Sequence, residues 1–427
     1  MIHTTELICQ LDHNTFNSLE EVLPEPEKIK DGNNTVIYHN FPNYGIKITL
    51  KRYDSNKCNR PFYFVFLILN LAKLIRQNDS SISLYQICNF NEISDKFREA
   101  MSSITSGDIE LQELCDIKSY KTRRIDFCCQ FKVEDPQLYI HLLNRGRFPS
   151  HGNYCNKEYE DSCYVVGGKI EDGKIIRRGS ITINIYEKQA EMKAPKNDGK
   201  GYTTEDLSEA ENVLRVEVQA FRRKMIDLND KLKKELGEEF EYPDRYLKNY
   251  LNISLAKELL LYYVKEIAGT SDYVKYTELQ ETVGNKLDED RKHNETRKYT
   301  LGILDILNGN GKKTRALWKY EASIRKDKKS SDSEKEKQDK EKKRDELKKF
   351  QKWMKDKEIN PIAIPNKLHG KVIKTTHLRS VYSLIKDYFA NVNKDSTIPT
   401  DDRLDEEDLL EEAMTDDEIE EDFNQQE

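Results

Sequence analysis

Apolar and polar side chains alternate with a period of two over several short stretches in the first half of the chain, the signature of half-buried strands. Residues 35–39 and the run IKITLKR (46–52) flank the turn FPNYG and read as a hairpin. Pro61 then opens PFYFVFLILNLAKLIRQ, whose apolar run has no polar face; it is predicted as a helix begun by proline and buried against a sheet. Four strand-like segments follow between residues 120 and 221: RIDFCCQF, SCYVV, SITINIYEK and LRVEVQAF. Asp135 before Pro136 predicts an N-cap with proline at the first helical position, opening the helix DPQLYIHLLNR. KIEDGKIIRRG carries a DG turn and reads as a hairpin arm.

Beyond residue 221 the period becomes helical, through RRKMIDLNDKLKKEL, NISLAKELLLYYVKEIAG, YTELQETVGNKL and a segment reaching ILDILNG. NGNGKKTRALWKYE is placed as the wing of a winged-helix module. Residues 325–349 hold twelve Lys or Arg and eight Asp or Glu with almost no apolar side chains, so they form a charged linker or a solvent helix. A small helical segment, 350–395, precedes an acidic, disordered tail, 396–427. The expected fold is α+β: a mainly antiparallel sheet with packed helices over 1–221, a helical, winged-helix-like region over 222–324, then the linker, the small helical segment and the tail.

Charge changes this picture more than composition does. The 427 residues carry a formal net charge of -7. Residues 401–427 alone hold fifteen acidic side chains and one basic, a net of -14, which leaves +7 on the remaining 400. A basic body suits contact with nucleic acid, and the tail could compete for that basic face, recruit a partner, or only keep the chain soluble. No apolar run approaches the roughly 20 residues that span a bilayer, and MIHTTELICQLDHNTF has no basic segment leading into a long apolar stretch. A cytoplasmic protein without a membrane partner is expected. Eight cysteines with no CxxC pair suit reduced structural thiols, and the adjacent Cys128 and Cys129 fall on opposite faces of a strand.

Alternation also predicts facing. Ile125, Phe127 and Cys129 share one side of their strand, while Arg124, Asp126, Cys128 and Gln130 share the other. Ile181, Ile183 and Ile185 oppose Thr182, Asn184, Tyr186 and Lys188, and Leu214, Val216 and Val218 alternate with Arg215, Glu217 and Gln219. If the apolar sides pack on helices, one face collects Asp126, Glu217, Tyr186, Lys188 and Arg215. Two carboxylates from separate strands can hold Mg²⁺ or Mn²⁺. A tyrosine hydroxyl can attack phosphorus, and Lys188 and Arg215 can offset the charge that develops or depress the tyrosine pKa. The reaction so implied is transesterification of a DNA phosphodiester. A strand tyrosine beside a lysine is also ordinary sheet composition, and the two carboxylates could equally be surface partners of Arg124 and Arg215.

Tyr164 on a neighbouring strand is the reserve nucleophile. The basic residues Arg123, Arg145, Arg147, Lys174, Arg177 and Arg178, interspersed with aromatic rings, could track a phosphate backbone. GNGKKT at 309–314 lacks the spacing of a phosphate loop and reads as a turn.

The order RID, then a strand ending in IYEK, then LRVEV resembles the gene II replication initiators of filamentous phages and, more distantly, the trans-type rolling-circle plasmid initiators. With the INPIAIPNKLHG segment, the resemblance extends over most of residues 1–395. It implies a nicking domain over 1–221 with Tyr186 as nucleophile, Lys188 as its helper, and Asp126 and Glu217 as metal ligands. It further implies helices over 222–324 that bind duplex origin DNA, single-stranded DNA as the substrate cut, and a host helicase and polymerase as partners. The charged insert and the acidic tail have no counterpart in that pattern. The eight histidines include no pair separated by one residue, so the paired-histidine metal motif of other nickases is absent, leaving Glu187 and Glu191 as candidate third ligands. A conjugation or transposition nickase and a non-catalytic DNA-binding regulator are the alternatives.

Overall fold

The computed structural model describes residues 1–25, 27–31, 34–54, 61–76, 84–85, 89–146, 154–159, 162–171, 174–195, 202–237, 245–290, 300–305, 308, 345, 349–350 and 352–395. The chain divides into two compact units. Among the described residues, the first comprises those within 1–133 and 154–260, the second those within 134–146 and 261–395. Sequence alone closed the sheet domain at 221; the sheet's unit runs on to 260, and the helix after Asp135 falls in the other unit.

The first unit begins β1 (Ile2–Leu11), α1 (His13–Val22), β2 (Glu27–Asp31), β3 (Asn34–Phe41), β4 (Ile46–Asp54) and β5 (Pro61–Asn70), followed by α2 (Leu71–Ile75) and α3 (Phe90–Ile104). The next series is β6 (Lys121–Lys132), α4 (Pro136–Gly146), β7 (Tyr154–Tyr159), β8 (Ser162–Glu171) and β9 (Lys174–Glu187). Short helices α5 (Lys188–Met192) and α6 (Thr204–Glu209) lead to β10 (Val213–Phe221) and α7 (Arg222–Leu236). All ten strands form one antiparallel sheet in the order β2-β3-β4-β5-β1-β6-β10-β9-β8-β7. The α+β class and the antiparallel sheet expected from sequence are present.

That order is an internal repeat. The series β1–α1–β2–β3–β4–β5 recurs as β6–α4–β7–β8–β9–β10, and the two five-stranded halves meet where β1 pairs with β6. The ladders match in register: Glu6, Ile8 and Gln10 pair with Ile68, Phe66 and Phe64, just as Asp126, Cys128 and Gln130 pair with Gln219, Glu217 and Arg215. Sequence carries a trace of this in ELICQL (6–11) and DFCCQF (126–131).

The predicted hairpin is β3–β4, and the four strand segments after residue 120 lie in β6, β8, β9 and β10. The helix expected from Pro61 is instead a strand, β5, with only the short α2 after it. The reason is β5's place between β4 and β1, where Val65, Leu67 and Leu69 are buried on one side and Phe66 on the other. A strand buried on both faces has no polar alternation, so its sequence reads as a continuous apolar run.

One sheet face is the core. Leu7, Ile48, Val65, Leu67, Ile125, Phe127, Ile183, Ile185, Val216 and Val218 are nearly or wholly inaccessible, each fully buried aliphatic side chain contributing roughly 1.5–3 kcal/mol. α1 packs on β5, with Phe16 against Tyr63 at 4.9 Å between ring centroids, and α7 packs on β6, β9 and β10.

In the second unit, α4 starts as predicted, Asp135 Oδ1 accepting from the Leu138 amide at 3.0 Å. The unit boundary falls within α8 (Ile253–Ala268), after Leu260, and the chain continues through β11 (Tyr273–Val274), α9 (Tyr276–Glu289), β12 (Lys367–Leu368), β13 (Lys371–Val372), β14 (His377–Leu378) and α10 (Val381–Asp395). Leu138 and Leu142 of α4 join Tyr273, Leu279, Val283 and Ile364 in its core. The wing expected at 308–321, apart from Asn308, most of the charged linker and the acidic tail lie outside the described residues. A small hairpin is present at β12–β13, where His369 and Gly370 both take positive φ, as a two-residue type I′ turn requires.

Candidate functional site

Opposite the core, the second half of the sheet gathers polar side chains where apolar ones would be expected at such depth. On β10, Arg215 and Glu217 project to this face because Leu214, Val216 and Val218 take the core side. Register then fixes their neighbours: Arg215 lies between Tyr186 and Gln130, and Glu217 between Asn184 and Cys128. Tyr186, Arg215, Glu217, Asp126 and Cys128 are all buried.

The Tyr186 hydroxyl donates to Glu217 Oε1 at 2.5 Å, a short, charge-assisted bond. Burial, reinforced by the Glu217 carboxylate, pushes that hydroxyl well above the usual phenol range, with Arg215 opposing. The resting tyrosine is therefore a neutral phenol held against its base. Burial works against the charge on Arg215, but Tyr186 and Glu217 outweigh it and raise the guanidinium pKa. Arg215 Nη2 also donates to Gln130 Oε1 at 2.8 Å, which fixes the fork in place.

Asp126 is on the same face but engaged elsewhere. Arg124 grips it through Nε at 2.9 Å and Nη2 at 3.2 Å. Burial raises Asp126 to about 7, with Arg124 opposing and Glu217 adding to the rise. Lys188, expected beside Tyr186, opens α5 and donates to Glu191 Oε2 at 2.9 Å, which also engages one of the two candidate third ligands. Burial, then the nearby Arg215, lowers its pKa.

The structure adds a residue that sequence did not single out. His3 Nδ1 lies 3.6 Å from Glu217 Oε1, and His3, Cys128 and Glu217 place one ligand atom each within 4.8 Å of one another. A β-bulge makes this possible: between Ile2 and Thr5, β1 carries an extra residue against β6, which turns His3 toward β10. No signal in the sequence places the first strand beside the second half's site; the β1–β6 pairing does.

The donors can be tested against a divalent ion. Asn184, the cross-strand neighbour of Glu217, has a buried side-chain oxygen without a hydrogen-bond partner among the described residues. The Glu217 carboxylate and the His3 nitrogen are donors that Mg²⁺ or, better, Mn²⁺ would accept, and register offers the Asn184 oxygen as a further one. The Cys128 thiol, pushed far up by burial, stays protonated and contributes no thiolate.

The remaining predicted residues scatter. Tyr164 is half-buried on β8, opposite Asn184. Arg123 sits on the sheet, while Arg145 ends α4 in the other unit, its Nη1 3.5 Å from His141 Nε2 and its pKa lowered by burial. Arg147 lies outside the described residues, and Lys174, Arg177 and Arg178 are placed by backbone alone, in the outer part of β9. No family model, curated protein or solved structure matches the chain. Among the described residues no helix is long and apolar enough to cross a membrane.

Proposed function

We propose that the protein is a DNA-nicking replication initiator of the rolling-circle type, resembling the phage gene II proteins, with Tyr186 as nucleophile. The observation that carries this reading is the 2.5 Å bond from the Tyr186 hydroxyl to a buried glutamate that shares its site with a buried arginine and a histidine. Glu217 takes the phenol proton as the Tyr186 oxygen attacks phosphorus. The bond from phosphorus to the 3′ oxygen breaks, that oxygen is protonated from solvent, and the 5′ phosphate remains on Tyr186. Attack by a 3′ hydroxyl on the phosphotyrosine reverses the sequence and rejoins the strand. Arg215 supports the negative charge that grows on the non-bridging oxygens. Mg²⁺ or Mn²⁺ held by Glu217, His3 and Asn184 would supply further positive charge there.

Because the Tyr186 hydroxyl is buried, DNA can reach it only after the covering chain moves. The same burial favours a second reading, a DNA-binding regulator that keeps the constellation as a buried polar network. The two part company in one experiment. Single-stranded oligonucleotides from the gene's own neighbourhood are incubated with the protein and Mn²⁺ or EDTA, resolved on a denaturing gel and mapped by peptide. A metal-dependent adduct on Tyr186 that is lost in Tyr186→Phe supports the nickase. Tight binding to a verified origin strand with no adduct selects the regulator.

A further inference from the structure

The repeat asks what the first half carries where the second half carries its site. In register, Phe64, Phe66 and Lys51 occupy the positions of Arg215, Glu217 and Tyr186, since Gln10, Phe64 and Lys51 are consecutive cross-strand neighbours just as Gln130, Arg215 and Tyr186 are. The central bulges correspond as well. About the shared Thr5–Ile125 pair, β1 bulges to aim His3 at Glu217, and β6 bulges to aim Arg123 at Phe66, its guanidinium 5.1 Å from the ring centroid. Lys51 Nζ stands 4.7 Å over the same ring. Phe64 lies 6.3 Å from Phe66 and 5.8 Å from Tyr53, and Tyr38, on the neighbouring strand, is 47% exposed.

We propose that this half is a platform for single-stranded DNA, with Tyr38, Tyr53 and Phe64 stacking bases and Lys51 and Arg123 taking phosphates; the proposal rests on the nucleic-acid substrate inferred for the neighbouring site. Three features favour a strand of DNA over other occupants. The rings and cations interleave, as stacking platforms for single strands do. Among the described residues the carboxylate near both cations is Glu6, which Arg123 contacts at 3.0 Å and Arg124 at 3.7 Å, so the patch keeps a positive balance that suits a polyanion. The face is continuous: Glu6 pairs with Arg124, on the same side as Asp126 and Glu217, and only three strand spacings of ~4.8 Å separate β5 from β10. A strand lying across β4, β5 and β1 is directed toward β10 and then β9, whose Tyr186 it meets once the chain covering that hydroxyl moves.

The test is anisotropy of a short fluorescein-labelled single strand of mixed sequence with the full chain at low salt, using Tyr186→Phe protein so that binding is read without chemistry. Tyr53→Leu and Phe64→Leu, which keep an apolar side chain in the sheet, are expected to weaken binding about tenfold each. Tyr38→Ser, at an exposed position that tolerates polarity, gives the same direction without risk to folding. Lys51→Gln should lower the salt slope of log K by about 0.7. Unchanged affinity in all three ring variants, effective competition by duplex DNA, or no binding by the parent protein overturns the platform. Its failure is separable from that of the nickase: loss of binding without any adduct in the wild type leaves the platform standing and removes the catalytic reading, while an adduct with unaffected ring variants does the reverse.

Discussion

The two halves of the sheet share strand order, register and even the placement of their central bulges, yet what they bury differs on one face only. On the core side Leu67 in the first half and Val218 in the second are equivalent and both inaccessible. On the other side, the second half encloses Tyr186, Glu217 and Arg215, whereas the first presents Phe64, Lys51 and Arg123 partly to solvent. A buried ionised pair is weak support for stability, because desolvation offsets most of its attraction. The fold is evidently satisfied by the apolar face that both halves keep. The fold therefore does not require the polar network of the second half, as the proposed nicking chemistry would have it, and the first half serves as its internal control.

The helices diverge too. α1 buries Phe16 and Leu19 within the first unit, while its topological equivalent α4 sends Leu138 and Leu142 into the core of the second unit. The same connection in the same fold is used once to cover the sheet and once to contribute to a separate core.

The largest expected difference between the halves is catalytic. Glu217→Gln and Tyr186→Phe are each expected to abolish adduct formation, a loss of at least about a hundredfold, with circular dichroism unchanged. Phe66→Leu, at the position equivalent to Glu217, should leave the rate of adduct formation on saturating DNA unaltered. If both halves are merely structural, the two kinds of variant will behave alike.

Next comes the shared core. Leu67→Ala is expected to destabilise by about 3 kcal/mol, read from urea unfolding, and Phe64→Leu by clearly less. Similar costs at both would mean that the two faces of the first half are equally structural.

The divergence of α4 can be sharpened by pH. Burial, then the charge of Arg145, lowers His141 to about 4, below the ordinary imidazole value of about 6.5. The unfolded chain therefore binds a proton that the folded one refuses, so stability is complete above pH 6.5 and is lost as pH falls toward 4. The expected loss between pH 7.5 and 5 is about 2 kcal/mol. Comparing thermal midpoints of wild type and His141→Gln over that range checks it, since the variant should lose that share of the decline.

The smallest effect concerns the bulges. His3→Ala should raise the Mn²⁺ requirement for adduct formation about tenfold while leaving single-strand affinity at saturating metal unchanged. Arg123→Ala should do the opposite, weakening DNA binding with the metal requirement intact. Identical behaviour of the two would dissolve the functional distinction between the halves.

Much of the fold was legible because it is local. Alternation in IDFCCQF, ITINIYE and LRVEVQ predicted strands and sorted core from polar side chains, since neighbouring side chains in a strand must take opposite faces whatever the partner. Asp135 before Pro136 predicted a helix start because the cap is made within three residues. The grouping of Tyr186, Arg215 and Glu217 on one face followed from the same alternation. The run from Pro61 did not yield to it: the residues show only that both sides are apolar, and the sheet decides that a strand rather than a helix lies there.

What tertiary structure alone decided is which strands are neighbours and how deeply they lie. No spacing in the sequence ties His3 to Glu217 across more than two hundred residues; a bulge in β1 does so. The short likeness of ELICQL to DFCCQF becomes a repeat when Cys128 is seen against Glu217 and Ile8 against Phe66, because the two halves kept their backbone pairing while their polar-face side chains diverged. Local sequence sets the period and the side each residue takes. Pairing across the sheet sets its burial and its neighbours, and from these follow the shifted proton affinities and the chemistry open to it.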